Sequence, residues 1–390
     1  MPLPASLRSQ IPLATAIVVI GSTVLPVFLA GSLGPQIGDE AGFDTGGLGW
    51  MIAAFFAAGA VSSAAFGRLG ERIGAHRALQ LGSAGSAVAQ LTIAVTPARL
   101  PLLTGVLFAA GLANTLAQPA ANIVVSQRIP LERQGIAMAV KQSAMPAATI
   151  VAGLAVPVVG LTVGWRWAFV GGAALAALAS LAARSVTDPP VRPAAPAASH
   201  TDDSLTVLII LALGAWLAAG HATMIAGFLV DSGEHAGQPA SFAGLMLAVG
   251  SVSGITSRLL LGSYVDRTGV RPLTLVVVLL TAGAAAALLL APQQPVLHAL
   301  ATPLMFATGW AWPGLFNLAV VQARADRPGA ATGVTQTGTY LGAVTAPLAF
   351  GALVEMTDSY ATGWIFAAAW ALSAAVVMAV ANRWLGREGN

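Results

Sequence analysis

The stretch Gly262-Ser-Tyr-Val-Asp266-Arg267-Thr-Gly269-Val-Arg271-Pro272 decides how this chain is read. It is a short charged loop between two long apolar runs, 241–261 and 272–291. So few residues part the runs that they must fold back as a tight hairpin of two helices. A weaker copy stands near the start: Gly67-Arg68-Leu69-Gly70-Glu71-Arg72-Ile73-Gly74-Ala75-His76-Arg77. Two such copies, one in each half of 390 residues, predict two versions of one plan.

Composition supplies the solvent. Charged residues make up 8% of the chain and hydrophobic residues 56%, with a mean hydropathy of +0.79. A soluble domain carries roughly 25% charged residues, so this chain cannot present an ordinary wet surface. Apolar stretches of about 20 residues recur throughout, each able to cross a hydrocarbon layer of roughly 30 Å. The class is therefore a polytopic, all-α integral membrane protein with the lipid bilayer as its partner. The net charge of +3 does not imply nucleic acid, because the arginines fall in inter-helix loops and form no continuous patch. The absence of cysteine excludes disulfides and thiolate metal sites. Only Arg8 precedes the first apolar run, which lacks a small-residue cleavage site and leads into further spans. It reads as an uncleaved first helix.

Windows of about 19 residues give twelve spans. Six lie near 11–31, 46–66, 77–96, 100–126, 136–160 and 165–183, and six near 205–230, 241–261, 272–291, 296–322, 330–354 and 361–382. The expected division is an N-terminal six-helix bundle over 1–184, a proline-rich polar linker over 185–204, and a C-terminal six-helix bundle over 205–390. Arginine sets the orientation. With the N-terminus inside, the inner segments hold Arg8, Arg68, Arg72, Arg77, Arg128, Arg133 and their C-terminal counterparts. The outer loops hold only Arg99 and Arg166, against Asp39, Glu40, Asp44, Asp231, Glu234, Glu355 and Asp358. This bias predicts a plasma (inner) membrane protein with both termini cytosolic.

The halves echo each other beyond the loop. Asn122 and Gln127 recur as Asn317 and Gln322 at the same offset, and Gln142 recurs as Gln336 close to it. The Gly164-Trp165 start of span 6 recurs as Gly363-Trp364. Six spans per half preserve orientation, so the bundles form a parallel, pseudo-symmetric pair about an axis along the membrane normal.

Gly-x-x-x-Asp-Arg-x-Gly-x-Arg between spans 8 and 9, with its copy between spans 2 and 3, resembles the signature loop of the major facilitator superfamily. The resemblance covers the whole chain. It implies that Gly67, Glu71, Arg72 and Gly74 in one half, and Gly262, Asp266, Arg267, Gly269 and Arg271 in the other, latch the cytosolic gate when the cavity faces outward. The first copy departs from the pattern, with Glu71 where aspartate is usual and His76 where lysine or arginine is usual. On physical grounds a glycine at a helix end admits a close neighbour, and the carboxylate can face a helix N-terminus.

The one lysine, Lys141, falls inside span 5, roughly 9 Å from its cytosolic end at about 1.5 Å per residue. Arg258 lies in span 8 at similar depth, on a stripe with Gly250, Ser251, Gly254 and Gly262. A charge at the bilayer centre costs roughly 2.5–3.5 kcal/mol even on the mild insertion scale, so both are functional candidates. Snorkelling to the interface is the plainer account. Every acid falls in a loop or at a span end. Two cations on one cavity therefore call for an anion, and the simplest anion is the substrate. Arg258-x-x-x-Gly262 is also similar to the eighth helix of the superfamily's monocarboxylate and oxalate carriers, which implies an arginine holding a substrate carboxylate. Here Gly254 and Gln336 stand where those carriers often have aspartate and lysine.

Further candidates surround this pair. Asn114, Gln118, Asn122 and Ser126 form a polar stripe on span 4, either a cavity wall or a helix–helix seam. Gln142 neighbours Lys141, while Gln336 and Tyr340 share a face of span 11 and could donate to a carboxylate. Trp216, Trp310 and Trp312 either shape the cavity or anchor span ends. His221, inside span 7, is a proton-coupling candidate or a histidine bonded between helices. No phosphate-binding glycine loop with a lysine, no metal-ligand pair and no nucleophile–base pair occurs. The expectation is a monomeric secondary transporter, not an enzyme, with no cofactor. It would move a small organic anion, with protons or a counter-anion as coupling partner. The alternative is a proton-coupled exporter of amphiphilic or neutral compounds.

Overall fold

The computed structural model describes residues 5–128, 140–186, 202–323 and 328–388, and among these it is helical without strands. Ten helices among the described residues are long and apolar enough to cross a membrane. Spans 1 to 4 are Ala5–Ser32, Thr45–Ile73, Ala75–Val95 and Leu100–Arg128. Span 5 is Val140–Gly160 and span 6 is Trp165–Ala183. Spans 7, 8, 11 and 12 are Asp202–His235, Ala240–Thr268, Pro328–Thr357 and Tyr360–Glu388. Two expected spans differ in form. Span 9 is the shorter helix Pro272–Leu288, and span 10 is broken into Pro295–Gly309 and Pro313–Ala323. The break follows from Pro313, which opens the second piece and has no backbone N–H to continue the first. The fold is that of twelve spans. Most of the linker, the start of span 5 at 136–139, and the side chains of Arg8, Arg68, Glu71, Asn122, Ser126 and Gln127 lie outside the described residues.

Three local features refine the sequence reading. Residues 34–41 form a short helix, Gly34–Ala41, where an outer loop was expected. Span 5 turns at Ser143, resumes over Ala144–Ala155 and widens into a π turn over Val156–Gly160, which contains Pro157. The two charged hairpins are mostly helix. Span 2 continues to Ile73, and span 8 reaches Thr268, so Asp266 and Arg267 occupy its last turn. Polar residues beyond the hydrocarbon layer lose nothing by staying helical. Gly269 ends the helix at φ +66°, a left-handed cap whose N–H meets the Val265 carbonyl.

The halves meet through span 1 with span 7, span 2 with span 11, and span 5 with span 8. We call the end bearing both chain termini the near end, and the opposite end the far end. At the far end one apolar cluster runs through both halves and includes Phe28, Phe55, Phe228, Phe306, Phe350 and Trp364. Toward the near end the cores separate: one, around Leu79 and Val124, lies wholly in the first half, and another, around Leu211 and Phe316, wholly in the second.

Glycine makes the far-end seam possible. A Cβ on Gly153 of span 5 would lie 2.5 Å from the Gly244 carbonyl oxygen of span 8, and one on Gly244 would lie 2.6 Å from the Gly153 carbonyl. Only hydrogen fits at both positions. The latch glycines behave differently. A Cβ on Gly67 or Gly262 would meet nothing within 4 Å among the described residues. The close approach expected at these residues is absent among the described residues.

Candidate functional site

Span 8 carries Arg258 to the junction of spans 5 and 10. Its Nη1 donates to the Gln142 carbonyl at 3.1 Å, across the seam between halves. Its Nη2 donates to the Trp310 carbonyl, and the guanidinium carbon lies 5.4 Å from the Trp310 ring centroid. Both acceptors belong to interrupted helices: Gln142 precedes the turn at Ser143, and Trp310 follows the end of Pro295–Gly309. Such carbonyls lose their helical partner and take a side-chain donor readily. The Arg258 Nε is buried without a partner.

Lys141 is the residue before that bridging carbonyl. It is buried at 5% exposure, and its Nζ donates to Gln118 Oε1 of span 4 at 3.0 Å. The structure thus brings together Lys141, Gln118, Gln142, Arg258 and Trp310. Trp310 is no interfacial anchor: it is buried and meets Phe28 of the first half and Phe306 of its own half edge-on, at 6.2 and 4.9 Å.

Other candidates fall elsewhere. Asn114 accepts from Thr23 Oγ1 of span 1 at 3.1 Å, so this member of the stripe serves a helix–helix seam. Tyr340 packs against Gly59 of span 2 and bonds Ser63, which places it on the seam between halves. Gln336, one turn away, is exposed. Trp216 leaves the group: its indole donates to Thr345 at 2.9 Å and its ring meets Trp370 at 5.1 Å, all within the second half. Trp312 is likewise buried in the second half, against Phe316. His221 is fully buried, with Nδ1 3.1 Å from the Ala367 carbonyl of span 12. Its Nε2 abuts Gly309 and Gly283, within the second half and away from the seam.

The residues expected to form the latch lie at the surface. Arg72, Asp266, Arg267 and Arg271 are exposed, and Gly74 links spans 2 and 3 at φ +89°. One grouping was missed in the sequence. At the far end Asp231, the only buried carboxylate among the described residues, accepts from Thr45 of the first half and from Tyr360 of span 12. Nothing in the spacing of Thr45, Asp231 and Tyr360 signals that they meet. The far-end charges Glu40 and Arg166 also pair, with contacts of 2.5 and 2.7 Å, and Arg166 holds the Glu40 carboxyl below the usual carboxylate range.

A family model described as Major Facilitator Superfamily matches residues 13–347, with a second match over 211–388. The chain belongs to the Major Facilitator Superfamily. It is a multi-pass membrane transporter of small molecules, not an enzyme. Two solved superfamily structures share its fold. One is a bacterial homologue of the human lysosomal transporter Spinster, inward-facing and unoccupied, with 12% identity, TM-score 0.72, and coverage of 98% of this chain and 97% of that one. The other is the nucleoside transporter NupG in a D323A variant, with 17% identity, TM-score 0.74, and coverage of 95% and 99%. No curated protein matches the sequence.

Proposed function

We propose that this superfamily member is a secondary transporter of a small organic anion, a carboxylate, working by alternating access between the bundles 1–184 and 205–390. The observation that supports this reading is that Arg258 of one half reaches span 5 of the other at the residue next to Lys141. The guanidinium from one half donates to the carbonyl beside the lysine of the other. A carboxylate entering between them would draw on the free Arg258 Nε and on both positive charges. Binding would then bridge the halves, and spreading the charge would lower the cost of closing the near end over it. On this reading the near end is cytosolic in a plasma membrane, and Gln142 and Gln118 supply further polar contacts. Coupling to protons or to a counter-anion belongs to the same proposal.

A second reading has its own observation. Arg258 already satisfies two orphan carbonyls, and aromatic Phe28, Phe306 and Trp310 crowd the same place. A structural arginine beside an aromatic wall suits a proton-coupled exporter of amphiphilic or neutral compounds. A thermal-shift panel of carboxylates, inorganic anions, sugars and dyes on the purified protein separates the two. Stabilisation by carboxylates, lost with uptake into proteoliposomes in Lys141→Gln, is the expected outcome. Stabilisation by dyes alone, or full carboxylate flux in Lys141→Gln, removes the anion reading.

A further inference from the structure

Spans 8 and 10 part on one side to leave a groove of about 450 Å³, lined by Ser253, Thr256, Ser257, Leu260 and Ala307 among others. Residue size makes it. Ser253, Ser257 and Ala307 are small, and the larger Val252, Leu260 and Leu261 stand around them. The groove opens outward, since Val252 and Leu260 are 51% and 66% exposed. Arg258 points the other way, into its junction with Gln142 and Trp310.

The hydroxyls in this groove leave little for a polar solute. Ser253 donates to the Val249 carbonyl at 3.0 Å, Thr256 to that of Val252 at 2.9 Å, and Ser257 to that of Ala307 in span 10 at 2.6 Å. Each hydroxyl has one proton, so all three are engaged. A surface without a free donor, set in hydrocarbon, suits an acyl chain. The same face of span 8 then leads to charge. At about 100° per residue, Ser253, Ser257, Leu260, Tyr264 and Arg267 form one row, in steps of three and four. Arg267 lies in the last turn, roughly 10 Å beyond Leu260 along the axis. Arg271 caps the start of span 9 just past it. Tyr264 and both arginines are exposed at the near end. Asp266 sits about 100° round the helix from Arg267, off the row.

We propose that this row binds one anionic phospholipid, its phosphate on Arg267 and Arg271 and one acyl chain in the groove between spans 8 and 10. Charge complementarity selects the occupant. Each basic residue at a membrane surface favours an anionic lipid by about fivefold, whereas the ammonium of a zwitterionic lipid offsets its phosphate. A second copy of the chain, packed on this face about a two-fold along the membrane normal, would set like charges against each other. The groove also backs onto the candidate site. The Ser257–Ala307 bond ties spans 8 and 10 beside the groove, and the Arg258–Trp310 bond ties them one residue further on, at the break in span 10. A chain seated there braces the two helices that hold Arg258.

The chain has no cysteine, so a bimane on Leu304→Cys, exposed on span 10 one turn from Ala307, reports this place alone. Leu178→Cys, exposed on span 6, is the reference. The full protein in phosphatidylcholine nanodiscs receives phosphatidylglycerol or phosphatidylcholine with a nitroxide on its acyl chain, which quenches bimane on contact. Phosphatidylglycerol is expected to quench Leu304→Cys at a roughly twentyfold lower concentration than phosphatidylcholine, about fivefold for each arginine. Both lipids should quench Leu178→Cys alike. Arg267→Gln should cut the preference about fivefold, and Arg267→Gln with Arg271→Gln should remove it. Ser253→Phe, which fills the groove, should also remove it, and Thr256→Phe is a second filling variant from the exposed side of span 8. Four results overturn the assignment. Equal quenching by both lipids means ordinary boundary lipid, and a preference that survives both filling variants means headgroup attraction without a groove. A preference abolished by inorganic phosphate at constant ionic strength means a free-anion site. A label shielded from both lipids, with a dimer in native mass spectrometry, means that a second copy covers the face. No transported solute is used, so failure here is separate from failure of the anion reading.

Discussion

The far and near ends of this protein are built from the same twelve helices but are held together differently. At the far end an apolar cluster crosses from one half to the other, span 5 touches span 8 backbone to backbone through Gly153 and Gly244, and Asp231 bonds Thr45 across the seam. At the near end each half keeps its own core, and Gly67 and Gly262 face open space. The lesson concerns where small residues matter. A glycine contributes to closure only where the backbone of the other half has come within van der Waals reach, as it has for Gly153 and Gly244 but not for Gly67 and Gly262 among the described residues. The polar meeting point of Lys141, Arg258 and Trp310 lies between the two regimes, where the shared core gives way to separate ones.

The comparison can be broken most directly at Gly153. Gly153→Leu drives a side chain into the span 8 backbone, and overpacking a tight site costs roughly 1–3 kcal/mol. Spin labels on Thr162→Cys and Met356→Cys, exposed at the far end on opposite halves, should report by double electron–electron resonance a far end that stays parted, and flux should stop. A closed pair in that variant would show that the glycine seam is dispensable. Next comes the middle. Arg258→Lys keeps the charge but loses the fork that reaches both Gln142 and Trp310. Loss of one charge-assisted bond is about 1.5–3 kcal/mol, so carboxylate binding should weaken at least tenfold by calorimetry. An unchanged affinity would confine Arg258 to a structural role.

The near end predicts a smaller effect of the other sign. Gly262→Ala meets nothing in this state and sits inside a helix, so it should stabilise the protein by about 0.5–1 kcal/mol. Thermal unfolding should rise slightly while flux falls, if the opposite state needs that glycine bare. A lowered unfolding temperature would mean that the near end is more crowded than it stands here. The smallest effect belongs to Glu40. Arg166 depresses its carboxyl, so the pair contributes stability above the ordinary carboxylate pKa and loses it as pH falls through the depressed value. Glu40→Gln should flatten the acid limb of thermal stability, and an unaltered limb would show the exposed pair to be inert.

The sequence by itself determined the solvent, the helix count and the two-fold plan. Long apolar runs at 8% charge leave no other way to satisfy the backbone, and the repeated charged hairpin sets the register of the halves. It also singled out Lys141 and Arg258, because a charge in an apolar span is costly wherever the helix packs. Tertiary structure decided what those charges touch. Arg258 finds the Gln142 and Trp310 carbonyls only because spans 5 and 10 are interrupted where span 8 passes them. Structure also turned Trp216 and His221 toward partners within their own half and drew Thr45, Asp231 and Tyr360 together. Contacts between residues this far apart in the chain depend on which faces the bundles turn to each other, and helical periodicity alone does not record that choice.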